Sequence, residues 1–219
     1  MNRFENIDTV IFDMDGTLLD TLEDIKDALN RALKIYGKKE RSLEDVRKFV
    51  GNGARELVKR ALDGEDFIRE FDDILDEYVT YYKENSLIKT APYDGIIEVL
   101  KELKNRDYKM AVVSNKPDGA VKELTEKLFP NLMEVAIGES DDIAKKPAPD
   151  MVDEALKQMG VSKDSAIYVG DSEVDLMTAT NSGLPCISVL WGFREKEILV
   201  EKGAQIFVDN PAELLELLR

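Results

Sequence analysis

The sequence predicts an α/β fold, a parallel sheet layered between helices, with a small helical domain inserted near its start. Three observations predict it. Short apolar, β-branched runs alternate with amphipathic helical segments from about residue 91 to the end of the chain. One more such run, Thr9–Phe12, stands alone near the beginning. Between the two, residues 20–86 carry helical periodicity and no strand pattern. The simplest arrangement is a three-layer α/β core of residues 1–16 and 91–219, with residues 17–90 inserted as a helical cap.

Each element has its own justification. Thr9–Phe12 is compact, apolar and β-branched, as a buried strand requires. Asp20-Thr-Leu-Glu23 reads as a capping box with Asp20 at the N-cap, followed by Ile25, Ala28, Leu29, Ala32, Leu33 and Tyr36 at helical spacing. Gly37 stops that helix. Ser42-Leu-Glu-Asp45 opens a short second helix, and Gly51-Asn-Gly53 breaks it. Ala54–Leu62 forms a third helix. Residues from Glu65 to about Glu84 form a fourth, through Phe67, Ile68, Phe71, Ile74, Leu75, Tyr78, Val79 and Tyr82. After Pro92, helices are expected over Tyr93–Asn105, Asp118–Phe129, Asp150–Met159, Val174–Ser182 and Glu195–Lys202, with a terminal helix opening at Pro211. Strands are expected over Lys109–Val113, Val135–Ile137, Ala166–Val169, Cys186–Val189 and Gln205–Val208.

Composition excludes several kinds of chemistry. The 219 residues include no histidine, so Ser-His-Asp, Cys-His and His-ligated metal schemes are ruled out. Cys186 is the only cysteine, which forbids a disulfide within the chain and argues against structural zinc. A net charge of -15 argues against nucleic acid or an anionic membrane as partner. The first residues lack the apolar core of a signal peptide. The longest uncharged run, Leu176–Phe193, is broken by polar residues, Gly183 and Pro185 and does not read as a membrane span. A cytoplasmic protein, monomer or homodimer, is expected.

The polar residues fall at strand ends. Asp13-Met-Asp15-Gly-Thr17 follows the first strand, and Ser114-Asn115-Lys116-Pro117 follows Met110–Val113. Lys145-Lys146-Pro147 follows the next strand and a loop, and Gly170-Asp171-Ser-Glu-Val-Asp175 follows Ile167–Val169. Parallel strands joined by crossover helices all point the same way, and ligands bind at their C-terminal ends. Asp13, Asp15, Ser114, Lys146, Asp171 and Asp175 can therefore converge. Asp13, Asp15 and Asp171, with Asp175 beside them, make an all-oxygen site suited to Mg²⁺. A carboxylate attacking a phosphate dianion meets like-charge repulsion, which Mg²⁺ and the ammonium of Lys146 offset. Ser114 can donate to a phosphoryl oxygen.

These four motifs, in this order and spacing, resemble the haloacid dehalogenase-like superfamily of phosphohydrolases, and the resemblance covers the whole chain. The superfamily's core is a Rossmann-like parallel sheet. The helical insert after the first motif resembles the small C1-type cap of the subgroup that includes phosphoglycolate phosphatase, β-phosphoglucomutase and a pyrophosphatase. Val50-Gly51-Asn52-Gly53, Val113-Ser-Asn-Lys-Pro117 and Trp191-Gly-Phe-Arg194 are most similar to the phosphoglycolate phosphatases. The resemblance implies that Asp13 is the nucleophile. It implies that Asp15 protonates the leaving alcohol and then deprotonates the attacking water. Asp13, Asp15 (through its backbone carbonyl) and Asp171 hold Mg²⁺ with Asp175 in support, and Ser114, Asn115 and Lys146 bind the phosphoryl group. The presence of Asp15 sets the chain apart from the superfamily's dehalogenases and phosphonate-cleaving members. The implied function is Mg²⁺-dependent hydrolysis of small phosphorylated metabolites, 2-phosphoglycolate foremost, through an aspartyl-phosphate. A phosphomutase or a pyrophosphatase would share the same core. A receiver-type phospho-switch also combines acidic residues, Mg²⁺ and a lysine, but has no helical insert after its first strand.

Other residues have ordinary roles to weigh. Lys145 and Glu173 read as solvated, Cys186 as a small buried apolar group, and Tyr78, Tyr81 and Tyr82 as packing. Lys116, Trp191 and Arg194 are open between structural and site roles. Lys38–Arg60 carries 8 basic and 4 acidic residues, a local +4. That is either an electropositive wall for an anionic ligand or a mixed-charge helix surface.

Overall fold

A computed structural model of the protein describes residues 4, 6–64 and 69–218. The chain divides into two compact units, one of Met1–Leu19 with Pro92–Arg219 and one of Asp20–Ala91. The sequence reading set its two crossings at 16/17 and 90/91. The crossing segments are themselves two-residue strands, β2 (Leu19–Asp20) and β3 (Ala91–Pro92), which pair as a ribbon.

The first unit is built on a six-stranded sheet. Its strands are β1 (Thr9–Phe12), β4 (Lys109–Pro117), β5 (Val135–Glu139), β6 (Ala166–Gly170), β7 (Cys186–Val189) and β8 (Phe207–Val208). Their order is β5-β4-β1-β6-β7-β8, and all five pairings are parallel. The chain runs outward from β1 to β4 and β5, then crosses back to β6. The strand order therefore reverses around β1, and the crevice of an open α/β sheet forms at such a reversal. Register makes this specific. Phe12 lies level with Val112 and Val169, so the residues that follow these three positions share one edge.

Both faces of the central strand are closed, and all four residues of β1 are buried. Ile11, Ala111, Val113, Ile137 and Tyr168 pack with Met151, Val152, Ala155 and Leu156 of α7 (Asp150–Met159) and Ala179 of α8 (Glu173–Ser182). The helices α5 (Ile96–Asn105), α6 (Asp118–Leu128), α9 (Lys196–Glu201) and α10 (Pro211–Leu217) complete the unit. The helix expected from Tyr93 begins three residues later, because Gly95 adopts φ +86 as its N-cap and Ile96 N donates to Tyr93 O in the preceding turn.

The second unit contains α1 (Leu22–Ile35), α2 (Leu43–Phe49), α3 (Ala54–Ala61) and α4 (Phe71–Asn85). The expected fourth helix started at Glu65. Phe67 and Ile68 lie outside the described residues, and the helix proper begins at Phe71. The capping box of α2 forms as expected, with Ser42 and Asp45 bonding each other's backbone N–H. The one expected at Asp20 does not. Asp20 belongs to the strand before the helix, so Thr21 becomes the N-cap and Asp24, not Glu23, occupies the third helical position. Asp24 then turns away and accepts from Lys89 N and Thr90 N, at 2.9 and 2.8 Å, tying α1 to the returning chain.

The basic stretch Lys38–Arg60 is braced internally. Arg41 donates to Ala61 O at 2.7 Å and pairs with Asp63. Arg60 donates to Phe49 O and Asn52 Oδ1, both at 2.7 Å, which satisfies the end of α2 and fixes the Gly51–Gly53 turn. Lys48 and Arg55 pair with Glu44 and Asp72. The mixed-charge surface is the better description. Among the described residues no helix is long and apolar enough to cross a membrane.

Candidate active site

The site is assembled at the C-terminal edge of β1, β4 and β6. Asp13 is the first residue past β1, and its N–H donates to Val169 O at 2.9 Å, extending the sheet one step. The chain then turns through Gly16, whose φ is +88. A Cβ at Gly16 would sit 2.4 Å from Asp171 Oδ2, and one at Gly192 would sit 2.3 Å from Asp171 Cβ. Only glycine lets these two loops close on Asp171.

Asp13, Asp171 and Asp175 each bring one carboxylate oxygen within 4.8 Å of the others, and all three residues are buried. One ammonium answers them. Lys146 Nζ lies 2.8 Å from Asp13 Oδ1 and 2.8 Å from Asp175 Oδ1. It also donates to the Tyr168 hydroxyl at 3.1 Å. The backbone of Lys146 is clamped by Asn115, whose side chain accepts from Lys146 N at 2.9 Å and donates to Lys146 O at 3.0 Å.

Asp175 is held on every side. Its Oδ1 accepts from Tyr168 and Lys146, and its Oδ2 accepts from Ser172 N and Ser172 Oγ in the capping box that opens α8. Asp171 Oδ2 accepts from Phe193 N at 2.7 Å. Two carboxylates, Asp13 and Asp171, are thus less fully satisfied than the third.

The electrostatics follow from three buried carboxylates facing one ammonium. Burial, followed by the charge of Asp175, pushes Asp13 up to about 7, although Lys146 pulls the other way. Burial together with Asp175 and Asp13 raises Asp171 well above the usual carboxylate range. Burial alone would lower Lys146, but Asp13 and Asp175 outweigh it and hold it well above its ordinary value. The cluster carries excess negative charge in all-oxygen donors, which suits a hard divalent cation such as Mg²⁺.

Not every expected residue joins this cluster. The Asp15 carboxylate lies apart from the triad and pairs with Lys116, whose Nζ is 2.9 Å from Oδ1 and 3.0 Å from Oδ2. Ser114 is buried at the start of an irregularity in β4, where the register with β5 shifts between Val113 and Pro117. Its Oγ accepts from Lys116 N at 3.3 Å. Asn115 grips Lys146 instead of lying open. Lys145 pairs with Glu139 and Glu173 with Arg194, while Trp191 Nε1 donates to Thr17 O at 3.0 Å. Tyr78 and Tyr82 stack on each other, as packing residues would.

Sequence reasoning missed Tyr168 and the backbone N–H of Phe193. Tyr168 had a signal, a lone hydroxyl in an otherwise apolar buried strand. Phe193 had none, because its contribution is a main-chain group.

The model of the family described as haloacid dehalogenase-like hydrolase matches residues 10–189, a span that contains all four motifs. The chain belongs to that family. This hydrolase is 30% identical to a phosphoglycolate phosphatase of Colwellia psychrerythraea over 97% of both chains. It is 32% identical to a phosphoglycolate phosphatase of Aquifex aeolicus over 95% of both. The crystal structure of a candidate phosphoglycolate phosphatase from Lactobacillus delbrueckii subsp. bulgaricus superposes with a TM-score of 0.92 at 39% identity, covering 97% of this chain and 98% of that one. The hydrolase is an enzyme of the phosphatase branch, a phosphoric monoester hydrolase.

Proposed function

We propose that the enzyme is a Mg²⁺-dependent phosphatase of small phosphate monoesters, acting through an aspartyl-phosphate on Asp13, with 2-phosphoglycolate as its leading substrate. The observation that carries this reading is Asp13 itself. It is a buried carboxylate at the end of the central strand, against a buried ammonium and within metal reach of Asp171. The similarity over nearly full length to proteins named phosphoglycolate phosphatase supports the choice of substrate.

In this reading Asp13 and Asp171 hold Mg²⁺, Asp175 supports them, and the bound ion supplies positive charge where a phosphoryl group would otherwise meet carboxylates. Lys146 adds fixed positive charge in a site shielded from water, where it acts more strongly than in solvent. Asn115 and Asp175 keep Lys146 in place, and Ser114 offers a hydroxyl. An Asp13 oxygen attacks phosphorus while the ester P–O bond breaks, and the leaving oxygen takes a proton from Asp15. Water then attacks the phosphorus of the aspartyl-phosphate, gives its proton to Asp15, and releases phosphate and the free Asp13 carboxylate. Residues 17–90 are read as the cap domain of this core, because they enter directly after the first motif.

The test is a panel of small phosphomonoesters, hexose phosphates and pyrophosphate, with and without Mg²⁺, reading released phosphate. The expected result is Mg²⁺-dependent release that is fastest on 2-phosphoglycolate or a similarly small ester. Isomerisation of a hexose 1-phosphate with little phosphate released, or preference for pyrophosphate, would overturn it. So would stable phosphorylation without turnover.

A further inference from the structure

We propose that Lys116 is a positioning residue for Asp15, fixing the carboxyl that passes protons to the leaving group and takes them from water. This rests on the reading of Asp15 as general acid and base given above.

Lys116 lies in the irregular end of β4, between Val113 and Pro117, where the register with β5 shifts. Such an irregularity re-aims a side chain that regular alternation would send elsewhere. The Lys116 side chain is only 3% exposed, and that of Asp15 is 20% exposed. Burying an ammonium is costly without a partner, and one partner here is Asp15, with both carboxylate oxygens within 3.0 Å of Nζ.

The environment of Asp15 gives the pairing its meaning. Asp15 Oδ1 is buried and accepts no well-aligned hydrogen bond among the described residues. The charge of Lys116 at 2.9 Å is what compensates it. Asp15 is not among the three carboxylates, Asp13, Asp171 and Asp175, that lie within metal reach of one another. Hydrogen-bonded at Oδ2 and ion-paired at Oδ1, the carboxylate is held against rotation about χ2. Proton transfer needs a heavy-atom approach of about 2.6–3.2 Å, and a misplacement of about 1 Å costs on the order of a hundredfold in rate. Lys146 supplies the ammonium beside Asp13, and Lys116 supplies one beside Asp15.

The chemistry gives a readout that a merely structural lysine would not move. Transfer from an alkyl ester leaves an alkoxide-like oxygen that needs Asp15's proton. Transfer from acetyl phosphate leaves acetate, which needs none. The parameter kcat/KM covers steps up to phosphoryl transfer and excludes the later attack by water. We therefore compare kcat/KM for 2-phosphoglycolate, or another small alkyl monoester the wild type turns over, with kcat/KM for acetyl phosphate. The proteins are wild type, Lys116→Met and Asp15→Asn, all with Mg²⁺. Both substrates are read on one preparation, so any loss of folded enzyme cancels in the ratio.

Asp15→Asn is expected to lower the alkyl-to-acyl ratio by about a hundredfold or more, the lower range for a general acid. Lys116→Met is expected to lower it by about tenfold or more, and the double variant to fall no further than Asp15→Asn alone. An unchanged ratio in Lys116→Met beside a lowered one in Asp15→Asn overturns the role of Lys116 and leaves that of Asp15 standing. An unchanged ratio in Asp15→Asn overturns the acid role itself, and the proposal for Lys116 falls with it.

Discussion

Replacing Asp171 by Asn should make the metal-free protein more stable while removing its response to Mg²⁺. Asp171 is a buried carboxylate whose charge is disfavoured by burial and by Asp175 and Asp13, and favoured by Phe193 N–H and by Arg194. Asparagine keeps an acceptor for Phe193 N, and its amide can donate toward the two remaining carboxylates. Leaving a buried polar group unmet costs about 1–3 kcal/mol, so relieving this buried charge gives roughly 1–3 kcal/mol. At about 2–4 °C per kcal/mol for a chain of this size, Tm rises by roughly 2–12 °C. The assay is thermal unfolding at pH 7.5 in EDTA and again in excess Mg²⁺. Wild type should gain about 2.7 kcal/mol when Mg²⁺ is at a hundred times its Kd, whereas Asp171→Asn should gain almost nothing. A variant that melts well below wild type in EDTA would show that the carboxylate stabilises the fold, and the reasoning from charge excess would fail.

Three more outcomes follow, two from the same cluster and one from the helical unit. Lys146→Met leaves Asp13 and Asp175 buried without their ammonium, so stability should drop by about 3–5 kcal/mol, read by denaturant unfolding, with turnover lost. The metal-free protein should lose stability as pH rises from about 4 to 7, because Asp13 goes from its ordinary 3.8 when unfolded to about 7 when folded, so the native state binds more protons across that window. The slope should flatten in Asp13→Asn, and the Mg²⁺-induced rise in Tm of wild type should be larger at pH 8 than at pH 6. Arg60→Ala should cost about 1–3 kcal/mol in the helical unit, from lost charged hydrogen bonds to Phe49 O and Asn52, with hydrogen exchange rising at the end of α2.

Most of the architecture was legible because its signals are local. β1, α7 and β7 fall on the residues that periodicity selected, since apolar runs bounded by Pro, Gly and Asp leave little freedom. The start of α1 was misjudged because Asp20 and Thr21 are both good caps, and the strand Leu19–Asp20 that decides between them depends on a partner more than 70 residues away. Likewise Ser114, Asn115 and Lys116 read as following the end of their strand, but β4 continues through them because β5 pairs again at Glu139. The convergence of Asp13, Lys146 and Asp171 was readable from strand ends in a parallel sheet. What Asn115, Tyr168 and Lys116 do was not, because each acts on a residue distant in sequence, and side-chain direction in an irregular strand is set by tertiary packing.

The central claim is that Asp13 carries the phosphoryl group. The direct measurement is rapid acid quench of the Mg²⁺-loaded enzyme with substrate labelled in its phosphoryl group, followed by peptide mapping, using Asp15→Asn to slow the attack by water. Label should appear on the peptide containing Asp13 at up to one per chain, be released by hydroxylamine, and be absent from Asp13→Asn. Phosphate release by wild type with no protein-bound label in either enzyme, or label on another residue, would contradict it.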